Sequence, residues 1–211
     1  IKNKPKNLFV TRNKKNRGRG YCRNLALNLC TNELVFSLDS TNIIDKDYVA
    51  MAMDIIKRSN VVAVFGRISN HPSLVSSKYV WRNKYLFHSD YDYGNDNIVT
   101  KNFSTYATLT KRREILNIGN FRKDLRHSED TEIAERIIAK DWSIIGSPHL
   151  ITYSTKSESI LSMYERYWRW NYGHMKSQGI PLSELINVCK QFFAMSIKNH
   201  LIKKEFKLSI Y

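Results

Sequence analysis

The spacing of apolar residues changes several times along this chain, and each change marks an element. Leu34, Val35, Phe36 and Leu38 form a run of strand length that stops on Asp39, followed by Ser40, Thr41 and Asn42. So compact a run predicts a strand buried on both faces, as parallel sheets contain. Val61, Val62, Ala63, Val64 and Phe65, closed by Gly66, predict a second buried strand, and Leu8, Phe9 and Val10 a short one ahead of a basic loop over 12–20. Cys22, Leu25, Ala26, Leu29 and Cys30 recur at helical spacing, with Arg23 and Asn24 on the polar side of the first turn. Asp45 predicts the cap of a helix running to Arg58, its core face formed by Tyr48, Ala52, Ile55 and Ile56.

Residues 67–102 are aromatic and polar without a period, which predicts an irregular excursion with a short helix near 76–85. A strand is expected at 106–109, a turn at Gly119-Asn120-Phe121, and a helix capped by Ser128 with Ile133, Ala134, Ile137 and Ile138 inward. Residues 142–145 and 150–153 predict two short strands. Beyond them, Ile160, Leu161, Tyr164, Tyr167, Trp168 and Asn171 share one helical face, and Pro181 opens a last helix aligning Leu182, Leu185, Ile186, Cys189 and Phe193. Strands alternating with helices predict an α/β domain over 1–156 and a helical segment over 157–211. No repeat appears, and no apolar run approaches the ~20 residues of a membrane-spanning helix.

Composition narrows the partners. Of the 211 residues 42% are hydrophobic and 12% aromatic, enough to exclude a disordered chain. The 34 Lys+Arg against 19 Asp+Glu give a formal charge of +15, which calls for a polyanion: nucleic acid, an anionic membrane, or a phosphorylated substrate. Three cysteines, Cys22, Cys30 and Cys189, have no metal-site spacing and fit a reduced cytosolic setting.

Four landmarks lie in order. They are Asn16-Arg17-Gly18-Arg19-Gly20-Tyr21-Cys22-Arg23-Asn24, the strand ending at Asp39, the pair Glu129-Asp130, and Arg166-Tyr167-Trp168-Arg169-Trp170. As an ordered set over residues 8 to 175 they resemble the family 2 glycosyltransferases of the GT-A fold, nearest to those that build exopolysaccharides such as succinoglycan. The resemblance implies a Rossmann-like, mainly parallel sheet flanked by helices with a C-terminal helical extension. It implies transfer of a hexose from a nucleotide-diphosphate sugar to a saccharide or lipid-linked saccharide, with inversion as the expected stereochemistry. The family also opens with a strand and helix that hold the base. Residues 1–7, polar and basic, cannot serve as these, so the expectation is a domain lacking them.

By the same resemblance Asp130 is the base that takes the acceptor's proton, with Glu129 beside it. Asp39, Arg23 and Asn24, with Arg17, Arg166 and Arg169, hold the donor and its phosphates, and Trp170 and Gly119 face the acceptor. A divalent metal, Mg2+ or Mn2+, would sit at Asp39. Thr41, however, stands where the family has its last Asp, and a neutral hydroxyl replaces a hard anionic ligand poorly. Either Asp39 and the substrate phosphates hold the ion weakly, or Arg17, Arg19 and Arg23 do its work. Each of these residues also has an ordinary reading. Acidic residues in a first helical turn complement the helix dipole, basic loops are solvated, and aromatic helix faces pack on sheets.

Lys190, Lys198, Lys203, Lys204 and Lys207 lie among Phe192, Phe193 and Phe206, a composition suited to an anionic bilayer. The expected location is therefore the inner face of the cytoplasmic membrane. A nucleic-acid-binding protein is the rival that charge alone allows, but no RRM, KH or zinc-finger spacing is present. A degenerate, non-catalytic relative is the second rival, to which Thr41 points.

Overall fold

The computed structural model describes residues 7–74, 94–125 and 128–159, together with Tyr79, 161–163, 165–166, Pro181, 183–184, 186–187 and Lys190. Its elements in chain order are α1 (Arg19–Leu29), β1 (Leu34–Leu38), β2 (Asn42–Ile44), α2 (Tyr48–Ile56), β3 (Val61–Asn70), β4 (Ile98–Thr100), β5 (Ala107–Lys111), α3 (Arg112–Asn117), α4 (Glu129–Ile138) and β6 (Ser143–Ser154). The strands form a sheet in the order β1-β5-β3-β6-β2, with β4 also on β6.

The α/β class expected from the sequence is the class found, but the sheet is mixed rather than mainly parallel. Among the described strands β3 and β6 run parallel, and the other pairings are antiparallel. β1 is an edge strand of the described sheet, half-buried, and pairs antiparallel with β5. Its apolar run therefore does not signify burial on both faces. β3 does carry that signature, and it continues past Gly66 to Asn70.

β3, with an irregularity between Val61 and Ala63, divides its side chains between two core clusters. Val62 and Phe65 pack with Leu27 of α1, Ile115 of α3, and Ile133, Ala134 and Ile137 of α4. Val61 and Val64 pack on the other face with Tyr48, Ala52 and Ile56 of α2. Helices thus cover both faces, the three-layer arrangement that buries a central strand.

Several expectations change. Leu8, Phe9 and Val10 form no strand. Helix α2 begins at Tyr48 after Asp47, and Asp45 serves instead through its backbone oxygen, which accepts the Tyr48 N–H at 3.1 Å. The two short strands expected at 142–153 are one strand. Pro148 reads as a break, but pairing with β3 jumps from Gly66↔Ser147 to Arg67↔Ile151, so the proline lies in an irregularity where it owes no ladder bond. The three-residue strands β2 and β4 and the six-residue α3 are too short to set up a period. The helix expected near 76–85 lies outside the described residues except for Tyr79. So does most of 157–211, where Leu161 is exposed and Met163 buried, unlike the expected face.

Tyr48 joins the layers. Its hydroxyl donates to Ala107 O at 2.7 Å and accepts the Gly66 N–H at 2.9 Å. Tyr48→Phe leaves both buried groups unpaired, at about 1–3 kcal/mol each. Urea unfolding should therefore show a loss of roughly 2 kcal/mol or more.

Candidate functional site

Three elements converge at one corner of the sheet. β1 delivers Asp39 to its C-terminal end, where the Asp39 N–H donates to Tyr106 O at 2.9 Å and Asp39 O accepts the Asn42 N–H at 3.0 Å. The Asn42 side chain donates to the same Tyr106 oxygen at 3.2 Å. This tight turn leaves the Asp39 carboxylate about half-exposed.

Helix α1 lies across that end. Gly18 precedes it at φ 85, a left-handed conformation that favours glycine, and its N–H donates to the Asn16 side chain at 3.0 Å. Gly20 is required by packing. A Cβ there would lie 2.2 Å from Arg122 O and 2.7 Å from Leu125 O, so the chain's own backbone takes the space. Arg23 and Asn24 also turn inward rather than to the polar side. The Asn24 amide donates to Phe121 O at 2.6 Å and Asn24 O accepts from Asn120 at 3.2 Å, pinning the turn at Gly119. The buried face of α1 is Gly20, Asn24 and Leu27, while Leu29 is exposed.

Helix α4 supplies the third part. Ser128 precedes it in a left-handed conformation, φ 58, and makes no side-chain cap bond, contrary to expectation. Glu129 is wholly buried. Its Oε1 accepts from Arg23 Nη1 and lies 3.6 Å from Arg19 Nε, and its Oε2 is buried with no hydrogen-bond partner among the described residues. Arg23 Nη2 lies 3.6 Å from Asp39 Oδ1. One guanidinium therefore bridges the ends of β1 and α4. Asp130, next in the chain, is half-buried, and its Oδ1 accepts the Thr131 N–H at 3.0 Å.

Burial pushes the Glu129 carboxyl up, helped by the Asp130 charge, against the opposing pull of Arg23 and Arg19. A carboxyl raised in the folded state contributes stability that is present below the unfolded value of about 4.3 and lost as pH rises through the folded value. Glu129→Gln should flatten the decline of Tm with rising pH above 4.3, measured by thermal melts across that range.

The other expected site residues are dispersed. Arg17 stacks on the Tyr21 ring at 3.8 Å. Arg166 pairs with buried Glu158, which also holds Lys156 at 3.1 Å. Gly119 is exposed at φ 95, beside an open cleft of about 450 Å3 lined partly by Asn24, Asn28 and Arg122. Arg169 and Trp170 lie outside the described residues. Tyr106 and Asn42, which hold the Asp39 turn, carry no signal in the sequence. The role of Arg19 had one: with Arg23 it forms an i, i+4 pair on one helical face.

The donor set does not make a metal cage. Among the described residues no three His, Cys, Asp or Glu side chains converge. Asp39 stands alone with a guanidinium beside it, and Thr41 O accepts from the Thr155 N–H and hydroxyl, both at 2.9 Å. Hard divalent ions need several oxygen ligands, which the described residues do not gather here.

A mixed sheet flanked by helices on both faces is the GT-A arrangement, and solved glycosyltransferases share this fold. GalNAc-T7, solved with UDP, GalNAc and Mn2+, superposes with a TM-score of 0.54 at 11% identity, over 69% of this chain and 31% of that one. The mannosyltransferase PcManGT of Pyrobaculum calidifontis, solved with GDP-Man and Mn2+, superposes with a TM-score of 0.55 at 18% identity, over 78% and 44%. The chain thus spans less than half of either protein. No curated protein sequence matches it. Residues 1–117 match the family described as Glycosyl transferase family 2, and the chain belongs to that family.

Proposed function

We propose that this corner works on a nucleotide-diphosphate sugar and passes its hexose, with inversion, to a polysaccharide or lipid-linked saccharide. The observation that carries the proposal is the meeting of Asp39 and Glu129, ninety positions apart, on the single Arg23 guanidinium, with Asp130 half-open beside them. The acceptor hydroxyl gives its proton to the Asp130 carboxylate as its oxygen bonds to the sugar's anomeric carbon. The bond from that carbon to the diphosphate breaks, and the diphosphate leaves with the electron pair. Buried Glu129 is closed in by two arginines, so of the two carboxylates Asp130 is the one suited to meet an acceptor. Family membership and the two solved neighbours, one bound to UDP and GalNAc and the other to GDP-Man, support this donor class.

The test is release of UDP or GDP by the protein carrying this chain, offered UDP-hexoses, UDP-N-acetylhexosamines and GDP-mannose with a panel of saccharides. Acceptor-dependent release is expected with one donor. No release and no binding of any donor would overturn the proposal.

The basic aromatic stretch over 190–211 extends the reading to the inner surface of the cytoplasmic membrane. Among the described residues no helix is long and apolar enough to cross one. Vesicles containing anionic lipid should sediment the protein at low salt, and deleting 190–211 should abolish this. Equal sedimentation of the shortened protein would contradict it.

A further inference from the structure

The Arg23 guanidinium faces two carboxylates of the chain itself, which leaves little of it to meet a phosphate. We infer that Arg23 and Glu129 form a positioning clamp: the guanidinium sets the distance between the strand end carrying Asp39 and the helix start carrying Asp130. Turnover, rather than donor binding, depends on that distance. The inference rests on the proposed transferase reading and deepens it.

Three observations carry it. First, the burial of Glu129 has no ordinary explanation. A carboxylate in a first helical turn complements the dipole while remaining exposed, and a buried one costs free energy unless it is paired. Here it is wholly buried, and α1 presents both Arg19 and Arg23 to its Oε1. Second, the Arg23 contacts use different nitrogens, Nη1 for Glu129 and Nη2 for Asp39. A planar fork fixes the directions of both partners, which a lysine cannot do. Third, the surrounding segments are tied to one another. Gly20 is packed against the backbone at Arg122 and Leu125, Asn24 is bonded to Phe121, and the Asp39 turn hangs on Tyr106. The helix that carries Arg23 is thus held by its neighbours, and both carboxylates meet the guanidinium from elements tied to it. Asp130 adjoins Glu129 in the chain and is placed by the same contact.

The test uses the full protein in the nucleotide-release assay, with kcat and the donor KM separated for Arg23→Gln, Arg23→Lys, Glu129→Gln and the double variant Arg23→Gln/Glu129→Gln. Misplacement of about 1 Å can cost 10²-fold in rate. The expected result is therefore a fall in kcat of roughly that size for Arg23→Gln with donor KM unchanged, and little rescue by Arg23→Lys. The double variant removes both members of the buried pair, so it keeps the test open if a single variant does not fold. Its Tm should recover while kcat stays low. A kcat that recovers with Tm would mean that the pair only stabilises the fold, and would overturn the inference. So would a raised donor KM with normal kcat, which would make Arg23 a phosphate ligand. Asp130→Asn measured alongside keeps the two ideas apart. Near-normal turnover in that variant removes Asp130 as the base, whereas the Arg23 and Glu129 variants still decide whether the clamp sets kcat.

Discussion

Asp130→Asn should lower turnover by ~10²–10⁴ while donor binding and Tm stay near those of the unaltered protein. The amide keeps the size of the side chain and its acceptor oxygen for the Thr131 N–H at 3.0 Å, but cannot take a proton from an acceptor. If Asp130 merely complemented the helix dipole, the change would cost only about 0.3–1 kcal/mol of stability and leave turnover per folded molecule intact. Transfer rate and melting temperature measured on the same samples separate the two. A folded variant with near-normal transfer would remove Asp130 as the base.

Gly66→Ala should be the most damaging single change to the fold. A Cβ at Gly66 would stand 1.7 Å from Leu150 O and 2.4 Å from Leu150 Cβ, at the point where the pairing of β3 with β6 shifts register. Leu150 is wholly buried and cannot swing aside. Overpacking usually costs about 1–3 kcal/mol, and a clash with backbone belongs at or above the upper end. The harm should reach the corner of the sheet as well. Gly66 O accepts the Tyr106 hydroxyl, and Tyr106 O holds both the Asp39 N–H and the Asn42 side chain. A fall of at least 3 kcal/mol in urea unfolding, with turnover lost in whatever remains folded, is the expected outcome. Unfolding within 1 kcal/mol of the unaltered protein would show that the register shift can open to admit a methyl group.

The sequence made the central elements legible wherever composition and burial agreed. β3 is apolar because both its faces are covered, and Ile133, Ala134 and Ile137 repeat at helical spacing because α4 covers one of them. β1 misled for the converse reason: Leu34, Val35 and Phe36 are apolar enough for a central strand yet lie half-buried at an edge of the described sheet. α1 misled more deeply. Its buried face is Gly20, Asn24 and Leu27, so hydrophobicity alone points to the wrong side. A close backbone approach wants the smallest residue, and a buried turn wants an amide to satisfy its carbonyl. At the site, Asp39, Arg23 and Glu129 were each recognisable by their place in the chain. Their union on one guanidinium was not, since it depends on how three elements pack. Asn42 and Tyr106 act through hydrogen bonds to backbone, which leave no trace in spacing.

The most direct measurement is hydrogen–deuterium exchange of the protein carrying this chain, with and without UDP- and GDP-sugars. Bound donor should slow exchange in peptides covering 36–42 and 128–131, the two ends joined by Arg23, and leave the α2 face over 48–56 unchanged. Donor binding that slows exchange only elsewhere, with both of those peptides unaffected, would contradict the assignment of this corner as the transfer site.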